Sequence, residues 1–81
     1  MPLVFTQDGY RFFFYSNEGD PREPIHIHVR RGTSVAKFWL FPEVQLADSY
    51  GFAARELNKI GRIVDNRKPE IEEAWNDHFS S

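Results

Sequence analysis

The 81-residue chain contains no cysteine. Disulfides and thiolate metal sites are therefore excluded, and the composition suits a reducing compartment. No apolar run approaches the ~20 residues needed to cross a bilayer as a helix. The opening "MPLVFTQDGY" lacks the basic and long apolar regions of a signal peptide. The expectation is a soluble cytoplasmic protein with no membrane contact. A large excess of positive charge is also missing. The net charge is -2, so bulk charge does not mark a polyanion binder. Residues 1–42 carry five Lys/Arg against four Asp/Glu, and residues 43–81 carry five against eight. An anion-binding surface is therefore expected on the first half. There is no phosphate-cradling glycine motif, no nucleophile elbow and no calcium loop, since "EGDP" lacks the carboxylate spacing.

Aromatic residues are plentiful, at 16%. A single domain of this length, residues 1–81, buries only roughly 60% of its unfolded surface. Eight Phe, three Tyr and two Trp can still supply a dense core. "PLVFT" and "YRFFFYS", separated by the turn signal Asp8-Gly9, read as a hairpin over residues 3–16. "NEGDPREP" is a polar loop. "IHIHVRR" and "SVAKFWLF" are two further strands around "GT", and "EVQLA" is a fourth or fifth, with Val44 and Leu46 inward. Pro42 stops the strand before it.

The period then changes. Phe52 or Ala53, Leu57, Ile60 and Val64 recur at helical spacing, and Gly61 weakens that helix by about 1 kcal/mol against alanine. Asn66 is the expected N-cap of the next segment, and Pro69 fits its first turn. Ile71, Ala74, Trp75, His78 and Phe79 form a second stripe. The segments are two helices or one helix kinked near Asn66. The expected fold class is α+β: an antiparallel meander sheet of four to five strands, followed by two C-terminal helices packed on one face.

The stretch "EPIHIHVRR" carries the chemistry. In a strand, residues two apart share a face, so His26, His28 and Arg30 line one side and Ile25, Ile27 and Val29 the other. Three functions fit that row. The first is RNA cleavage by its own 2′-hydroxyl. An imidazole titrates near neutrality, so His26 and His28 can act as acid and base. Arg30, with Arg11, Arg31 or Lys37, would hold phosphate and offset developing charge. That enzyme would be a metal-independent ribonuclease with no cofactor. The second is binding without catalysis, of RNA or of an acidic protein. The third is a metal site with Glu18, Asp20, Glu23 or His78 as third ligand, though no spacing selects among them. Two strand histidines that only hydrogen-bond their neighbours are the non-functional reading.

Within "RFFFY", Phe12 and Phe14 are expected in the core. Phe13 and Tyr15 point the other way and would mark an interface for a homodimer or a partner if left uncovered. Trp39 is either core or beside the histidines.

The blocks "GYRFFFYSNEGDPREPIHIHVRRG", "AKFWLFPEVQLA", "GFAARELNKIGRIV" and "IEEAWNDHF" resemble the bacterial domain-of-unknown-function family 4160 over roughly residues 8–79. The resemblance implies a small prokaryotic protein often encoded beside a second small protein from a candidate DNA-binding family, in the manner of toxin–antitoxin operons. On that reading the chain is the toxin-like member acting on RNA. The alternative is a non-enzymatic module that pairs with and regulates its operon partner protein. The family commonly has serine where this chain has Ala53, so the capping box that Glu56 would complete is missing.

Overall fold

The computed structural model describes residues 2–15 and 23–79. Residues 17–22 of the polar loop, with the candidate ligands Glu18 and Asp20, lie outside the described residues. The order of elements is β1 (Leu3–Gln7), β2 (Tyr10–Phe13), β3 (His26–Arg31), β4 (Ser34–Trp39), β5 (Gln45–Tyr50), α1 (Ala54–Asn66) and α2 (Lys68–Phe79). The strands form one antiparallel meander in sequence order. This is the α+β architecture expected from the change of period.

Turn chemistry sets the register. Asp8 and Gly9 both have positive φ, 54° and 84°. That makes a two-residue turn whose twist matches the flanking strands, joining Gln7 to Tyr10. Gly32, with φ 61°, opens the turn joining Arg31 to Ser34. These turns place Phe12, Val29 and Ala36 in one row, with Ile27 opposite Phe38. The helices cover that face through Ile60, Ile63, Val64, Ile71 and Trp75. Phe12 and Phe14 are buried in this core, as their spacing implied.

Both edge strands carry a register irregularity, between Leu3 and Phe5 in β1 and opposite Lys37–Phe38 in β5. Bulges of this kind blunt an edge against strand addition.

β5 differs from the expected strand. It starts after Val44 and runs on through Ala47, Asp48 and Ser49, which are weak strand formers held in place by the ladder to β4. Leu46 is opposite Phe38 but 44% exposed, because α1 leaves a groove of about 540 Å³ over this edge. Gly61 lines the same groove. A Cβ added there would meet the Phe38 ring at 3.5 Å, an ordinary contact. Gly61→Ala is therefore expected to stabilise the protein by roughly 0.5–1 kcal/mol, raising Tm by about 3–6 °C in a thermal melt. A lower Tm would contradict the packing described.

Glu56 and Arg67 fix the helices. Ala53 has no hydroxyl, so only half of a capping box forms: the Ala53 N–H donates to Glu56 Oε1 at 3.3 Å. The other oxygen accepts from Tyr10 Oη at 3.3 Å and from Arg31 Nη2. The Ala53 amide, with Arg31 beside it, holds the Glu56 carboxyl below its ordinary range. The expected cap at Asn66 moves one residue on. Asn66 ends α1, and the Arg67 carbonyl accepts the first bond of α2, from Ile71 N–H at 3.1 Å. Arg67 is anchored there by Gln7 Oε1 at 3.1 Å, by Glu70 at 2.9 Å and by the Phe5 ring, which fixes the bend.

Candidate functional site

The face away from the helices holds two cross-strand rows. One runs Arg11, Arg30, Val35, Tyr50 across β2, β3, β4 and β5. The next runs Phe13, His28, Lys37, Asp48. Neighbouring residues within a row are about 5 Å apart, and the rows are separated by about 7 Å. Arg11, Arg30 and Tyr50 are exposed, Tyr50 at 72%.

Arg11 and Arg30 face each other directly. Like charges in this relation destabilise a sheet. Neither guanidinium has an ion pair or hydrogen bond within the described residues, and both line a small hollow with Leu3 and Phe13. Lys37 behaves differently. Its ammonium lies 3.5 Å from Glu23 and 4.4 Å from the centre of the Trp39 ring. It therefore turns away from Asp48, its opposite number on β5. A groove of about 300 Å³ runs over β3, β4 and β5, lined among others by Tyr15, His28, Arg30, Asp48 and Tyr50.

The two histidines share the face but not its exposure. His28 is half-buried, with Phe13 stacked at 5.7 Å and the Tyr15 ring at 4.5 Å. His26 has 0% exposure. It lies at the end of the sheet where α2 wraps round, 5.4 Å from Trp39 and 5.1 Å from Trp75 by ring centres. Its Nδ1 donates to the Pro24 carbonyl at 2.9 Å, which assigns the proton to that nitrogen. The imidazoles are 5.2 Å apart, but only His28 reaches the groove. As arranged, His26 cannot touch a substrate there.

The other expected site residues divide. Arg30, Arg11 and Lys37 gather on the open face. Arg31 does not: alternation puts it on the helix side, where it bonds Glu56 and lies 4.7 Å over the Tyr10 ring. Phe13 is only 4% exposed because Tyr15 and His28 cover it, which leaves Tyr15, 37% exposed, as the accessible member of the pair. Trp39 packs beside His26. Among the described residues no group of three His, Asp, Glu or Cys side chains converges in a way that could hold a metal ion. No helix among them is long and apolar enough to cross a membrane. Sequence pattern does not place Tyr50 and Asp48 on this face, because "ADSY" has no strand alternation of its own to align it with the histidine row.

No curated protein and no solved structure matches the chain. The family model described as "Domain of unknown function (DUF4160)" matches residues 9–76. The chain belongs to that family.

Proposed function

We propose that the protein binds single-stranded RNA on the open face of its sheet and does not cleave it. The observation that carries this reading is the Arg11–Arg30 pair, two exposed guanidiniums side by side with no carboxylate partner among the described residues. Directly opposed like charges cost the fold stability, and a phosphate between the two arginines reverses that cost. Tyr50 and Tyr15 add flat surfaces on which bases can stack. Cleavage is disfavoured because an acid and a base must both reach the reacting atoms. His26 is enclosed, so the groove holds one imidazole rather than the acid–base pair. In a toxin–antitoxin-like setting the protein would then act by sequestering RNA.

The test is a titration with a short 5′-labelled oligouridylate, followed by recovery of the RNA. Binding is expected with a Kd on the order of 1–100 µM at physiological salt. Its logarithm should change with that of salt with a slope of about 2, from two to three phosphate contacts. The RNA should be recovered intact. Shortened RNA, or no binding at low salt, overturns the reading.

A second reading, docking of the operon partner protein, is favoured by a separate feature. The groove between β5 and α1 exposes Leu46 beside Val44 and Leu57. The bulged edges disfavour strand addition, so such a partner would seat side chains in this groove.

A further inference from the structure

Asp48 is out of place on a face built only for phosphate. It lies in the groove with Arg30, and the cation opposite it, Lys37, is engaged with Glu23 and Trp39 instead. Among the described residues Asp48 forms no ion pair. Its Oδ1 accepts the Ser49 N–H at 2.9 Å, which fixes the carboxylate. That oxygen keeps a second lone pair, and no described hydrogen bond uses Oδ2. The groove thus offers a cation at β3, an oriented double acceptor at β5 and the exposed Tyr50 ring next to it. The spacing across β3 to β5 is about 10 Å.

A ligand matched to this groove carries an anion at one end and adjacent hydrogen-bond donors at the other. An acidic peptide does not match, since its carboxylates would be repelled by Asp48. A nucleotide does. In single strands the Watson–Crick edge is open to a protein. Guanine alone among the four bases presents two neighbouring donors there, N1–H and the N2 amino group. Uracil offers one N–H between two carbonyls, which a carboxylate repels.

We infer that Asp48 makes the face selective for a guanine, held by its N1–H and N2 amino group while Arg30 and Arg11 take the flanking phosphates. This rests on the RNA-binding reading and adds base selectivity to it. The aspartate weakens phosphate binding in general and recovers affinity only when a guanine is present.

The experiment compares an oligouridylate with the same oligomer carrying one central guanosine, against wild type and Asp48→Asn. Asparagine keeps the acceptor for Ser49 N–H but turns the other oxygen into a donor and removes the charge. Wild type is expected to favour the guanosine oligomer by about tenfold, in the range of one good bidentate pair. Asp48→Asn is expected to lose that preference and to bind plain oligouridylate more tightly than wild type does. A merely structural aspartate would weaken both oligomers together. Equal binding of both by wild type overturns the inference and leaves RNA binding standing. Binding of neither removes the reading beneath it. If Asp48→Asn is misfolded by circular dichroism, an inosine replacement decides with wild-type protein alone. Inosine lacks the N2 amino group and should lose most of the advantage; full affinity for inosine overturns the inference.

Discussion

Replacing Arg11 and Arg30 together by alanine is expected to weaken oligouridylate binding on the order of 100-fold, from two charge-assisted contacts. The salt slope should shrink by about 1.4, because two of the phosphates neutralised by wild type are no longer neutralised. Stability should move the other way. The arginines are directly opposed on β2 and β3, and cross-strand like charges are unfavourable by a few tenths of a kcal/mol to about 1. Tm should therefore hold or rise. Anisotropy titrations at several salt concentrations and a thermal melt read both effects. A variant that binds like wild type would show that the doublet has no part in recognition. One that loses Tm would show that the arginines are structural.

The two histidines are expected to separate by stability. His26→Ala removes a fully buried ring from contact with Trp39, Trp75 and His28 and leaves the Pro24 carbonyl without its donor. Aromatic-to-alanine changes in cores cost about 3–5 kcal/mol, and the smaller imidazole should cost roughly 2–4. For a domain of this size that is a large fraction of a total near 4–12 kcal/mol. His28→Ala, at a half-buried position, should cost about 1 kcal/mol. Urea unfolding midpoints with unchanged m-values measure the difference. Equal, small losses for both variants would mean that His26 is a surface residue, and the acid–base pair would regain its footing.

Much of this architecture was legible because local signals agreed. Asp8-Gly9 sets a two-residue hairpin, and alternation in "YRFFF" separates Phe12 from Phe13. The step from period 2 to period 3.6 near Phe52 places the helices last. The row of His26, His28 and Arg30 was also readable, since a strand's side chains alternate whatever it pairs with. Register was not. Arg11 opposite Arg30, and Asp48 opposite Lys37, depend on turn geometry and on the β5 irregularity. Burial of His26 was hidden for another reason. It depends on α2 wrapping round the end of the sheet and bringing in Trp75, a long-range contact with no local pattern. For Arg31, alternation gives the side of the sheet but not the partner it meets there. The residue after a face-forming arginine turns to the opposite side, where Glu56 is brought to it by an unrelated helix. Tertiary packing decides which of the two histidines is closed off from solvent.

The helix-free face of the sheet is the proposed RNA-binding surface. The most direct measurement is an amide NMR titration of the 15N-labelled protein with the guanosine-bearing oligouridylate. Shifts are expected on Arg11, His28, Arg30, Val35, Lys37, Asp48 and Tyr50, with α1 and α2 nearly unmoved. Shifts centred on Leu57, Gly61 and Arg62 along α1, or none on β2 to β5, would contradict it.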